Sequence, residues 1–139
     1  MDGRTQLLAL RRSANGRCTG AWETVHGRIE GEEGPVGAAL RELAEETGLA
    51  PREFYNLSRV ETFYLHRQDQ VALIPVFAAV VADDAQVRLG EEHDAYQWLP
   101  PEAVRARFAW PRERRAVDDV IQLLDGPTRA SLEEVLRIM

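Results

Sequence analysis

Apolar and polar positions change period several times along this chain, and each change marks an element. Residues 5–11 alternate loosely, which predicts a strand. Residues 13–19 form a polar loop with an Asn15-Gly16 turn, and residues 22–25 a short strand. From Pro35 to Thr47 the period lengthens. Val36, Ala39, Leu40, Leu43 and Thr47 share one stripe at helical spacing. Pro35 stands where a first helical turn accepts it, and Gly48 where a helix ends. A strand is predicted over residues 55–66, then a polar turn over 67–70. The apolar run 71–82 reads as a buried strand that Pro75 interrupts or confines to an edge. Asp83-Asp84 is a turn, and residues 86–89 a short strand or extended loop. A last strand covers 96–99. Helices follow over 101–107 and 112–124, then a break at Asp125-Gly126-Pro127 and a short helix over 131–138. Strands and helices interleave, so the class is α/β.

The polar face of the first helix adds chemistry. Glu42, Glu45 and Glu46 fall within about 100° of arc at 3.6 residues per turn. Like charges at this spacing destabilise a bare helix by about 0.2–0.5 kcal/mol per pair. Arg41, four residues before Glu45, offsets part of that, and a divalent cation offsets more. Carboxylates combined with substrate phosphates are the ligand set Mg²⁺ prefers. An R-E-x-x-E-E string alone reads as a solvated helix face. Here it is framed by Gly27, Glu33 and Gly48 in the order G-x5-E-x7-R-E-U-x-E-E-x-G-U, where U is Leu43 and Leu49. A random window meets all of these positions with odds on the order of one in 10^9.

Residues 27–49 therefore resemble the Nudix box, and the chain is similar to Nudix hydrolases, which cleave nucleoside diphosphates linked to another moiety. The resemblance implies an α/β/α fold, a mixed β-sheet sandwiched between α-helices, in a single domain over residues 1–139. It implies Mg²⁺, with Mn²⁺ as a second option, held by Glu42, Glu45 and Glu46. It adds the carbonyl of the residue before the first glycine, here His26, where many members carry glycine. The imidazole of His26 reads as a turn residue or a phosphate donor. Arg41 is expected to orient Glu45 rather than touch substrate. A W-x-x-V-x-G lead-in (Trp22 to Gly27), an E-H-x-x-Y-x-W-L string (Glu92 to Leu99) and Phe108-Ala109-Trp110-Pro111 resemble the dihydroneopterin triphosphate and dATP pyrophosphatase branch. Similar E-H-x-x-Y-x-W pieces occur in diadenosine polyphosphate hydrolases. In such members the glutamate of the string, here Glu92, is a further metal ligand or the general base. Glu45 is the other candidate for that base.

The expected reaction is metal-assisted hydrolysis of a phosphoanhydride, giving a monophosphate and pyrophosphate from a nucleoside triphosphate-like substrate. A dinucleoside polyphosphate hydrolase is the alternative. A non-catalytic nucleotide-binding regulator is less favoured, because every box glutamate is kept. Phe63, Tyr64, Phe108 and Trp110 are candidates for a wall facing the base. Arg11, Arg12 and Arg28 are candidates for phosphate contacts against the ordinary reading of solvated arginines. Trp98 and Tyr96 are expected to pack the sheet against a helix.

Composition bounds the partner. The chain has 139 residues, 45% of them hydrophobic, and 17 basic against 23 acidic residues give a formal charge of −6. With no basic stripe, a nucleic-acid polymer is not the expected partner. A small phosphorylated substrate is, since bound metal supplies local positive charge. The single cysteine, Cys18, excludes an intrachain disulfide, and no apolar run is long enough to span a bilayer, so a cytoplasmic protein without membrane contact is expected. Members of the family that the chain resembles usually carry a further apolar strand before the turn that Asp2-Gly3-Arg4 represents, so either the true start lies upstream, or the sheet lacks a strand, or a neighbouring chain or terminal segment covers the gap. A strand with one unpaired side invites pairing, so a homodimer through residues 5–10 is expected.

Overall fold

A computed structural model describes residues 5–126 and 129–139, except the side chains of residues 63, 129 and 130. The expected turn at 2–4, Pro127 of the expected break and the Phe63 side chain thus lie outside the described residues. The elements are β1 (Leu7–Arg12), β2 (Trp22–Glu23), α1 (Pro35–Thr47), β3 (Glu53–Leu65), β4 (Gln70–Val80), β5 (His93–Leu99), α2 (Pro101–Arg107), α3 (Pro111–Asp125) and α4 (Arg129–Leu136).

Helices and strands interleave in an α/β fold, and the strands among the described residues pair in two antiparallel groups, β2-β1-β5 and β3-β4. The parallel component is a bridge between Trp22 and Phe108. β1 is the middle strand of its sheet. Leu10 and Arg11 pair with β2 on one side and with β5 on the other. The unpaired side expected along residues 5–10 therefore shrinks to Leu7–Ala9, which pair with β5 alone among the described residues. β4 pairs through Pro75 opposite Val60, and β3 shifts register between Asn56 and Val60. Pro75 is tolerated because the other side of β4 carries no strand among the described residues. Residues 86–89 form no strand.

Two hydrophobic clusters hold these sheets. Ala9, Val104, Phe108 and Val117 pack with Leu7, Trp22, Leu99 and Ile121. Tyr55, Leu57, Ala78 and Leu123 pack with Val76, Val80, Val120, Leu124, Leu132 and Leu136. α3 supplies side chains to both, at the three- and four-residue spacing that helical periodicity provides. Ion pairs from Arg115 to Glu61 (2.7 Å) and from Arg59 to Asp119 fasten α3 to β3. On α1, Ala38 and Thr47 are buried while Val36, Ala39, Leu40 and Leu43 are only half-buried. The helix is gripped at its C-terminal turn instead. The Arg88 and Gly90 amides donate to the Thr47 and Glu46 carbonyls at 2.7 and 3.2 Å.

Candidate active site

The loop from Gly27 to Gly34 and the first turns of α1 are built around one guanidinium. Arg41 donates through Nε and Nη2 to the Glu33 carboxylate, at 2.7 Å for the shortest contact. Nη1 reaches Glu42 at 2.8 Å and Glu45 at 3.1 Å, and Nη2 also reaches the Arg28 carbonyl at 2.7 Å. Glu33 in turn accepts the Glu30 amide at 2.8 Å. The Arg41 fork lowers the Glu33 carboxyl below its ordinary range, as a bidentate, charge-assisted pair does. Arg41 is thus placed to orient Glu45, and it also fixes Glu42 and the box loop. Gly27 lies against the Glu42 side chain: a Cβ there would sit 2.1 Å from the Glu42 carboxyl carbon.

Glu46 is 4% exposed and neither carboxylate oxygen has a hydrogen-bond partner in the protein. Burial first, then the facing Glu42 carboxyl and the charges of Glu92, Glu42 and Glu23, push its pKa up to about 9. A buried acid left without donors is costly unless protonated or beside a cation. Glu92 stands on the opposite wall. The backbone holds it there, since the Ser13 amide and hydroxyl bind the Glu92 and Glu91 carbonyls at 2.9 and 2.6 Å. Glu42, Glu45, Glu46, Gly90, Glu91 and Glu92 line a cavity of about 220 Å³. One ligand atom each of Glu46, Glu92 and His93 lies within 4.8 Å of the others. Orphaned buried oxygens and converging carboxylates fit a hard divalent cation.

Behind this cavity lies a buried polar network that the sequence pattern did not reveal. Glu23 is 1% exposed, and its Oε2 meets Arg12 at 3.1 Å, His26 at 3.1 Å and His93 at 2.8 Å. Burial would raise its pKa, but hydrogen bonds from His26 and His93 and the nearby positive charge bring it down to about 2. His26 is raised in turn, mainly by its bond to Glu23. Glu113 of α3 accepts the Thr24 amide at 2.5 Å, and burial pushes its pKa up to about 7. Glu113, His26, Thr24, Glu61, Val76, Arg112 and Ala116 line a second cavity of about 60 Å³. An acid inside a two-residue strand beside a tryptophan was the one available signal for Glu23.

The remaining expected residues are scattered. Arg12 is engaged by Glu23 and the Arg17 carbonyl. Arg11 pairs with Asp94, and Arg28 is exposed. Trp110 caps α3 half-buried, with the Arg112 guanidinium 5.5 Å from its ring centre. Phe108 is buried in the core and Tyr64 is exposed. Tyr96, expected to pack the sheet, is 42% exposed although its cross-strand partner Leu10 is buried, and Trp98 is half-buried.

The NUDIX domain family model matches residues 1–120. The chain belongs to the NUDIX domain family. An octanoyltransferase of Myxococcus xanthus is 39% identical to this NUDIX chain over 116 residues, covering 77% of the chain and 30% of the relative. The asymmetrical bis(5'-nucleosyl)-tetraphosphatase of Rattus norvegicus is 35% identical over 80 residues, 56% of the chain and 54% of the relative. The NUDIX chain thus spans about a third to about half of these relatives. Among solved structures, a C. elegans Ap4A hydrolase binary complex superposes with a TM-score of 0.73 at 19% identity, over 91% of this chain and 90% of that one. The E. coli dihydroneopterin triphosphate pyrophosphohydrolase gives 0.65 at 24% identity, over 81% and 83%. No helix among the described residues is long and apolar enough to cross a membrane.

Proposed function

We propose that the chain is a metal-dependent pyrophosphohydrolase that cleaves a nucleoside triphosphate-like substrate to a monophosphate and pyrophosphate. The observation that supports this is the convergence of Glu42, Glu45, Glu46 and Glu92 on one cavity, with both oxygens of Glu46 orphaned. Glu42, Glu45, Glu46 and Glu92, with the His26 carbonyl, would hold Mg²⁺ or Mn²⁺. The metal, when bound, neutralises phosphate oxygens and lowers the pKa of a water. Arg41 holds Glu42 and Glu45 in place. Glu45 or Glu92 takes a proton from water as it attacks phosphorus. Arg28 and Arg12 are the proposed phosphate contacts. Phe63 and Trp110 are proposed to face the organic half of the substrate. The test is a hydrolysis screen over nucleoside triphosphates, dihydroneopterin triphosphate, nucleotide sugars and dinucleoside polyphosphates, with Mg²⁺ and with Mn²⁺. Glu45→Gln and Glu46→Gln are expected to lower turnover at least 100-fold with the fold intact. Wild-type rates in excess chelator would overturn the metal requirement.

The second reading, a dinucleoside polyphosphate hydrolase, draws support from similarity to the rat tetraphosphatase and from the fold of the C. elegans Ap4A hydrolase. It predicts a higher kcat/KM for dinucleoside tetraphosphate than for any nucleoside triphosphate in the same screen.

A further inference from the structure

We propose that His93 is itself a metal ligand, its Nδ1 joining one oxygen each of Glu46 and Glu92 in a mixed nitrogen–oxygen site. The proposal rests on reading the acidic cavity as a metal site, and adds to it a donor of a different chemical type. His93 is 3% exposed, and its Nδ1 has no hydrogen-bond partner. Its other nitrogen, Nε2, lies 2.8 Å from the Glu23 carboxylate. An ionised carboxylate only accepts, so a proton sits on Nε2, and the neutral ring then carries its lone pair on Nδ1. That lone pair faces Glu46 Oε1 across 3.7 Å, too far for a hydrogen bond. Donors sharing an ion with bonds of about 2.0–2.2 Å stand about 3.0–3.6 Å apart, so the 3.7 Å between Nδ1 and Glu46 Oε1 is close to that spacing and the remaining pairs, within 4.8 Å, close by side-chain rotation.

A histidine that served only to fill the core would be expected to find partners for both ring nitrogens. Here one nitrogen and two carboxylate oxygens are orphaned together. Carboxylate behind, imidazole between and open lone pair in front is the arrangement that metal-ligating histidines adopt, the carboxylate fixing the tautomer and raising basicity. The backbone contributes to the aim. Arg11 pairs with Ala95 and Arg12 with His93, so Asp94 is left as a β-bulge at the start of β5. Bulges of this kind redirect a side chain next to a site. The Ser13 amide holds the adjoining Glu92 carbonyl. An imidazole donor shifts preference from Mg²⁺ toward later transition metals such as Co²⁺ and Zn²⁺.

The experiment is a Mn²⁺ titration of the protein followed by electron paramagnetic resonance, then pulsed measurement of nitrogen coupling to the bound ion. With three histidines in the chain, the assignment needs two variants. Bound Mn²⁺ should show an imidazole nitrogen coupling in the wild type and in His26→Gln, and none in His93→Gln. Co²⁺ affinity should fall about 10-fold or more in His93→Gln and in Glu23→Gln, while Mg²⁺ affinity falls less. Should His93→Gln fail to fold, coupling that persists in both His26→Gln and His66→Gln assigns the nitrogen to His93, and coupling lost in either of them overturns the assignment. Tight Mn²⁺ binding without nitrogen coupling overturns the assignment and leaves the carboxylate site standing. No Mn²⁺ binding overturns the acidic-site reading and His93 with it.

Discussion

A carboxyl group held near pH 9 by burial and by neighbouring acids gives up its proton when a divalent cation arrives. Mg²⁺ or Mn²⁺ binding at pH 7 is therefore expected to release about one proton per site. Calorimetry in buffers of different ionisation enthalpy should show this release in the wild type and its loss in Glu46→Gln. Glu113 carries a separate pH dependence. Its folded pKa of about 7 lies above the unfolded value of 4.5, so the folded state binds the proton more tightly. The associated stability is full below pH 4.5 and is lost as pH rises through 7. The loss amounts to at most about 3 kcal/mol. Urea unfolding from pH 5 to 8 should show the decline, and Glu113→Gln should flatten it. Glu23 acts in the opposite sense. Its folded pKa of about 2 gives stability that is present above 4.5 and lost as pH falls toward 2.

At the level of elements, the box divides its tasks between a helix and the loop that precedes it. Gly27 leaves room for the Glu42 carboxyl, and a methyl there would displace it. Gly27→Ala is expected to shift Tm by only a few degrees, since the obstructed group is a movable side chain, and to weaken Mn²⁺ binding about 10-fold or more. A titration calorimeter and a thermal melt on the same sample separate the two effects. The helix was legible in the sequence from Pro35 to Thr47, because periodicity, an N-terminal proline and a C-terminal glycine are local signals. The helix Pro101–Arg107 also matches its expected bounds, with a proline at its start but Phe108 rather than a glycine at its end. The division into two sheets was not, because strand pairing joins residues far apart, as Leu8 and Trp98 do. The box glutamates and Glu92 were readable as motif positions. The partnership of Glu23 with His93, 70 residues apart, carries no spacing rule and exists only once β1, β2 and β5 are paired.

Across the whole molecule, each sheet has its own hydrophobic cluster and α3 belongs to both, so the two sheets are joined through one helix. Leu123→Ala, at a position 1% exposed, is expected to cost about 2–5 kcal/mol. Because the clusters share this helix, fluorescence and far-UV circular dichroism should report one coincident transition in that variant. Two separated transitions would show that the sheets fold independently.

The backbone attachment of the loop from Arg88 to Glu92 has a consequence for divergence among relatives. Arg88, Gly90 and Glu92 are held by main-chain amides and carbonyls, which are the same whatever side chain is attached. A Cβ at Gly90 would stand 3.1 Å from the Glu45 carbonyl oxygen, so that position has little latitude. The exposed side chains of Arg88 and Glu91 have much more. Such a loop lets the rim of a pocket accumulate substitutions while the acids behind it stay in place. A library randomised at positions 88 and 91 should return mostly folded, metal-binding proteins with altered substrate preference, whereas one randomised at position 90 should return few.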